Sequence, residues 1–116
     1  MQLILASQSP RRRELLALFD IPFVIRAADI DETMDPAGDP SAEVARVSRL
    51  KALATVREEA DVVIAADTIV VCGSKVLGKP DSPQQARQML SMLSGLDHQV
   101  MTGVTVLKGG EVRCIT

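Results

Sequence analysis

The run Val62-Val63-Ile64-Ala65-Ala66-Asp67-Thr68-Ile69-Val70-Val71 constrains this chain more than any other stretch. It is apolar nearly throughout, so it reads as a central strand of a sheet covered on both faces. Asp67 stands in the middle of it. A carboxylate in such a place is costly unless it is hydrogen-bonded, paired or bound to metal. The plain alternative is an aspartate satisfying backbone amides at a strand end or bulge, but Ile69 to Val71 continue the strand past it. Functional sites are where local sequence rules break in this way.

The second organising stretch is Leu3 to Leu16. Leu3-Ile4-Leu5 is a short buried-strand signal, followed by a polar turn and Pro10. Proline suits the first helical position, where its missing N–H would be unpaired anyway. Ser9 is then the natural N-cap, and Leu15, Leu16, Leu18 and Phe19 give the helix an apolar face. Arg11, Arg12 and Arg13 fall in its first turn, where cations oppose the helix dipole. An anion held at the free amides would outweigh that cost; a solvated basic turn is the plain alternative.

The rest of the chain reads as alternating elements. Asp20-Ile21-Pro22 is a break, and Phe23-Val24-Ile25 a second strand. Ala28 to Asp39 is an acidic loop carrying Asp29, Asp31, Glu32, Asp35 and Asp39, with Pro36 and Gly38 excluding regular structure. A long helix runs from Pro40 to about Glu59, with Asp39 as N-cap and an apolar stripe of Val44, Val47, Leu50 and Ala54. Lys51 shares that face, so it either snorkels to the core edge or reaches an anion. Cys72-Gly73-Ser74-Lys75 is a two-residue hairpin signal leading into Val76-Leu77. Lys79 follows in a Gly-Lys-Pro loop. Ser82-Pro83-Gln84-Gln85 is a capping box opening a helix with Ala86, Met89, Leu90 and Leu93 on one face, ending at Gly95. Val100 to Leu107 and Val112 to Thr116 are strands around a turn at Lys108 to Glu111. The order implies one α/β domain over residues 1–116, a mixed twisted sheet flanked by helices.

Composition narrows the function. A chain of 116 residues is one small domain with room for a real core. Aromatics make up 2% of the chain, Phe19 and Phe23 alone, which disfavours stacking on single-stranded nucleic acid. A net charge of −2 offers no basic field for nucleic acid or anionic lipid. Cys72 and Cys114 make no disulfide framework, which favours a reduced, cytoplasmic setting. Arg11 precedes any long apolar run, so no signal peptide is expected, and no stretch approaches the ~20 apolar residues of a membrane span. His98 has no second histidine or cysteine at ligand spacing, so a zinc site is unsupported.

The remaining unusual positions fall into two sets: the cations Arg11, Arg12, Lys51 and Lys79, and the carboxylates Asp31, Glu32 and Asp67. Together they suit a polyphosphate held with a divalent cation, since Mg²⁺ binds one or two carboxylates plus substrate phosphates. The glycine spacing of a Walker A loop is absent, as is a dinucleotide GxGxxG after the first strand.

Ser7-Gln8-Ser9-Pro10-Arg11-Arg12, Asp31-Glu32, Lys51-Ala52, Ala66-Asp67-Thr68, Gly78-Lys79-Pro80 and Ser94-Gly95…His98-Gln99-Val100…Thr102-Gly103 resemble, in order, the motifs of the Maf family of nucleoside triphosphate pyrophosphatases. The resemblance implies a fold shared with inosine-triphosphate pyrophosphatases, and cleavage of a nucleoside triphosphate to monophosphate and pyrophosphate with Mg²⁺ or Mn²⁺. SPRR together with ADT resembles the dTTP/UTP subgroup rather than the 7-methyl-GTP subgroup. On that pattern Asp67 corresponds to the proton acceptor and Glu32 to a metal-linked carboxylate; Asp67 could instead hold that metal. Ser7, Arg12, Lys51 and Lys79 correspond to substrate-binding residues, and Arg11 and Thr68 to positions that influence base choice. The implied partner is the nucleotide, with no nucleic acid or membrane; homodimerisation is left open. Family members continue beyond the position of Thr116 with a segment supplying a glutamine near the base. The chain is therefore expected to be C-terminally truncated, and the competing readings are a non-catalytic nucleotide-binding or cell-division regulatory module and the 7-methyl-GTP-specific variant of the same enzyme.

Overall fold

The computed structural model describes residues 2–27, 30–35, 37–58, 60–72, 75–77, 82–93 and 98–116. Lys79, the Gly73-Ser74 turn and the Ser94-Gly95 helix stop expected from the sequence lie outside them. The elements are β1 (Leu3–Leu5), α1 (Pro10–Ala17), β2 (Val24–Ile25), α2 (Pro40–Thr55), β3 (Val62–Cys72), β4 (Lys75–Leu77), α3 (Pro83–Leu93), β5 (His98–Lys108) and β6 (Glu111–Ile115). They form one six-stranded mixed sheet in the order β2-β1-β3-β5-β6, with β4 pairing β3 beside that path. β1 is parallel to both β2 and β3, whereas β4 and β5 run antiparallel to β3. The expected α/β class with a mixed sheet is what forms.

The caps explain where the helices start. Ser9 accepts from the Arg12 amide at 3.4 Å, and Asp39 from the Ser41 amide at 3.3 Å, each with proline following at the first helical position. Ser82 accepts from the Gln85 amide at 3.1 Å ahead of Pro83. After α1 the chain turns away through Asp20, whose φ of 56° is left-handed, a conformation aspartate tolerates better than most side chains. α2 closes at Thr55, capped by Val56, short of the expected end near Glu59.

The core lies between α2 and one face of the sheet. Val63 and Ala65 pack with Ile4, Ala6, Ala52 and Leu107, while Ile69 and Val71 pack with Val44. These β3 residues alternate along the strand and so share a face. Gly103 of β5 makes the approach of α2 possible: a Cβ there would lie 2.7 Å from the Val44 carbonyl oxygen. The buried stripe of α2 is Val44, Val47, Ser48, Ala52 and Thr55. Leu50 is exposed, as is Ala54, so the expected stripe is rotated toward residues 48, 52 and 55. Polar side chains on this stripe find partners. Ser48 Oγ hydrogen-bonds Thr105 Oγ1 at 2.7 Å, Thr105 donates to Cys114 Sγ at 3.3 Å, and Thr55 donates to the Ala52 carbonyl at 3.1 Å.

The opposite face departs from expectation. Ile64 and Val70 of β3 are only partly buried there and Thr68 is exposed, while Ala66 and Cys72 on the same face are buried, so β3 is covered less fully on this side than on the other. Helix α1 has no fully buried residue; Leu18 is 80% and Phe19 71% exposed. It is two turns long and stands off this face across a groove, so its apolar residues line the groove instead of filling a core.

Candidate functional site

The site is built at a break in the edge of β3. β1 pairs with Val62 to Ile64, and β4 with Val70 to Cys72; β5 occupies the other edge along the whole strand. Between β1 and β4, Ala66, Asp67 and Thr68 have no strand beside them among the described residues. The chain leaving β1 turns in front of this gap. Ser7 Oγ accepts from the Ser9 amide at 3.1 Å, which folds the turn so that α1 begins at the gap.

Arg12 fills the opening. Its Nη1 donates to the Ala66 carbonyl at 2.9 Å and to Ser7 Oγ at 3.5 Å, and its Nη2 donates to Thr68 Oγ1 at 2.9 Å. Thr68 Oγ1 in turn hydrogen-bonds Thr102 Oγ1 at 3.0 Å across the β3–β5 ladder, where the two residues are directly opposite. Every partner of Arg12 is neutral: among the described residues no carboxylate pairs with it. The guanidinium is thus fixed in direction and left with its charge uncompensated, an arrangement suited to an anion.

Asp67 points the other way, to the α2 face. Lys51, from the fourth turn of α2, reaches it with Nζ at 3.2 Å from Oδ1, and reaches Glu32 Oε1 at 2.7 Å. The Lys51 and Asp67 side chains are 15% and 16% exposed, while Glu32 is 56% exposed at the mouth. Lys51 therefore lies, partly buried, between two carboxylates instead of snorkelling outward. Asp67 Oδ2 has no partner among the described residues, so it retains acceptor capacity.

Glu32 and Asp67 converge on one ammonium, so a position for a cation is already lined by two carboxylates. No cluster of three or more His, Cys, Asp or Glu side chains occurs among the described residues. Two converging carboxylates are a donor set that suits a hard cation with oxygen ligands.

The groove between α1 and the sheet encloses about 520 Å³ and is lined by Leu15, Leu16, Phe19, Ile64 and Val104, with Arg12, Thr68 and Thr102 supplying its polar groups. An apolar cleft with a few convergent polar groups is the usual form of a small-molecule site. The structure thus gathers Ser7, Arg12 and Thr68 on one side of the gap, and Glu32, Lys51 and Asp67 on the other. Arg11 lines the groove without a hydrogen bond or ion pair to a described residue, and it is Arg12 that touches Thr68. Thr102 was not singled out as a site residue from the sequence. It lies in the Thr102-Gly103 motif, and its register opposite Thr68 shows what it touches.

The family described as Maf-like protein matches residues 2–115, and the chain belongs to it. Similar relatives include the dTTP/UTP pyrophosphatase of Pseudoalteromonas atlantica, 46% identical over 97% of this chain and 62% of the relative. That of Anaeromyxobacter dehalogenans is 52% identical over 95% of this chain and 55% of its own length. That of Moorella thermoacetica is 49% identical over 92% of this chain and 56% of its own length. The chain thus spans between 55% and 62% of the length of these three relatives. A solved nucleoside-triphosphatase, the dITP/XTP pyrophosphatase of Mycobacterium abscessus, superposes with a TM-score of 0.55 over 99% of this chain and 70% of that one. At 12% identity this likeness shows a shared fold. No helix among the described residues is long and apolar enough to cross a membrane.

Proposed function

We propose that this chain serves a nucleoside triphosphate pyrophosphatase reaction, converting dTTP or UTP with water to the monophosphate and pyrophosphate. The observation that carries the reading is the gap in the β3 edge. It sets Arg12, which pairs with no carboxylate among the described residues, and the capped N-terminus of α1 on one side, and Asp67 with Lys51 on the other. The pyrimidine preference is supported by the relatives' names and by the SPRR and ADT pattern.

In this reaction water adds to the α-phosphorus, the bond to the pyrophosphate oxygen breaks, and the proton of the water must be taken up. Asp67 is the residue for that task, through its Oδ2, which has no partner among the described residues, or else it holds the cation that orients the water. Arg12, Lys51 and the amides of the first turn of α1 would stabilise the phosphate oxygens as charge develops on the leaving group. Lys79 joins them on the family pattern. Mg²⁺ or Mn²⁺, held by Glu32 and Asp67, would supply charge neutralisation for the leaving pyrophosphate. We place the reaction in the cytoplasm, where nucleoside triphosphates are abundant.

The test is product analysis with dTTP, UTP, 7-methyl-GTP and ATP, with and without Mg²⁺. Pyrophosphate and monophosphate from dTTP or UTP, dependent on the cation, are expected. Orthophosphate with a diphosphate product overturns the bond assignment. Thermal stabilisation by nucleotide without any product replaces the enzyme with a non-catalytic binder. Replacing Arg11 and Thr68 together should shift the kcat/KM ratio between UTP and a purine triphosphate; an unchanged ratio at lower rate would leave them only a phosphate-binding role.

A further inference from the structure

Glu32 sits in an irregular loop, yet its carboxylate meets Lys51 at 2.7 Å. Something must hold the loop there, because an untied loop of this length would spread a half-exposed side chain over many positions. Two residues of α2 do so. Arg46 Nη2 donates to the carbonyl of Thr33 at 2.9 Å, one residue beyond Glu32. Glu43 Oε2 accepts from the Asp35 amide at 3.2 Å, two residues further on. The two clamps are joined, since Arg46 donates to the same Glu43 oxygen through Nε at 3.2 Å and Nη2 at 2.8 Å. Gly38 closes the loop against Glu43, where a Cβ would stand 3.2 Å from Glu43 Cγ. Inside the loop, Asp31 Oδ1 accepts from the Thr33 amide at 2.9 Å. α2 therefore carries the lysine of the site and, one to two turns earlier, the pair that fixes the loop opposite it.

We propose that Arg46 and Glu43 are positioning residues that hold Glu32 against Lys51 and thereby set the affinity of the site for a divalent cation. The cation part rests on the reading above, in which Glu32 and Asp67 bind that ion. Outer partners of metal-binding side chains typically change affinity by 10–100-fold when removed.

The experiment combines amide hydrogen exchange with Mn²⁺ titration followed by water-proton relaxation, on Arg46→Ala, Arg46→Lys, Glu43→Gln and Glu32→Gln. Arg46 is half exposed, so its replacement spares the core, and Glu43→Gln keeps the side-chain length. In Arg46→Ala the Thr33 and Asp35 amides should exchange about ten times faster, with those of Lys51 to Thr55 unchanged. Its Mn²⁺ dissociation constant should rise about 10-fold, with partial return in Arg46→Lys and a smaller rise in Glu43→Gln. Glu32→Gln should weaken Mn²⁺ without altering exchange at Thr33 or Asp35. Unchanged exchange at both amides in Arg46→Ala overturns the clamp. Faster exchange with wild-type Mn²⁺ affinity, in a protein where Glu32→Gln does weaken Mn²⁺, overturns the positioning role. If Glu32→Gln leaves Mn²⁺ binding untouched, the cation reading falls, and the clamp is decided by exchange alone.

Discussion

The two faces of β3 are made from the same kind of residues and end in different states. On the α2 face, Val63, Ala65, Ile69 and Val71 are buried and Asp67 is held by Lys51. On the α1 face, Ile64, Ala66 and Thr68 border a groove, and the apolar residues of α1 remain solvent-accessible across it. An apolar run along a strand says that both faces can be buried; it does not say that both are. What separates them is the partner. α2 comes close because Gly103 clears its path, whereas α1 is held near its N-terminus, through the Arg12 bonds to Ala66 and Thr68, and leaves space beneath the rest.

Four experiments break or sharpen this contrast. The largest effect is expected from Asp67→Asn. Loss of a general base typically costs 10²–10⁴-fold in rate, so kcat should fall at least ~100-fold while the thermal midpoint holds and nucleotide affinity is kept. A collapsed midpoint with normal turnover in the remaining folded protein would make Asp67 structural.

Next come two apolar truncations, one on each side of the sheet. Ile4 is fully buried, and Ile4→Ala should cost about 2–5 kcal/mol in denaturant unfolding. Leu18, 80% exposed, should change stability by less than about 0.5 kcal/mol as Leu18→Ala. Similar costs at both positions would show that the α1 face is packed in solution.

Gly103→Ala is the third. Its new Cβ meets the α2 backbone, and overpacking of this kind costs about 1–3 kcal/mol. The same measurement on Val100→Thr, on the groove face of the same strand, should give a change within about 0.5 kcal/mol.

The smallest effect is a pH dependence. The hydrogen bond from Arg46, then that from the Asp35 amide, holds the Glu43 carboxyl below the usual glutamate range. A group lowered in the folded protein contributes stability that is present above its unfolded value, about 4.3, and is lost as pH falls through the folded value. Exchange protection of the Asp35 amide should therefore persist at pH 5 and fade only under more acid conditions. Loss of protection already near pH 5 would show that the clamp does not act on Glu43.

Much of this was legible in the residues. Ser9, Asp39 and Ser82 announce their helices because capping is local chemistry, and β1 and α3 begin where their signals place them. Asp67 and Lys51 each stand out as charges in apolar surroundings, although nothing in the spacing says that they meet. The buried stripe of α2 differs from its apolar pattern because Ser48 and Thr55 satisfy their hydroxyls in place and pack like small apolar residues. Arg12 rather than Arg11 reaching Thr68 depends on the rotation of one helical turn, which the entry angle from Ser7 to Ser9 decides. Thr102 joins through a strand pairing that spans a hairpin and a helix, beyond any local pattern.

The plug that Arg12 forms has a consequence for self-association. A bare stretch of strand edge is a template for another chain, and proteins blunt such edges with charge. At the gap between β1 and β4 the Ala66 carbonyl already receives its hydrogen bond from a guanidinium, so an incoming strand would find that acceptor taken and a cation in its way. The same contact that aims Arg12 therefore guards the chain against edge-to-edge growth. Arg12→Ala would remove both at once, and a rise in concentration-dependent oligomers without nucleotide present would be its second signature.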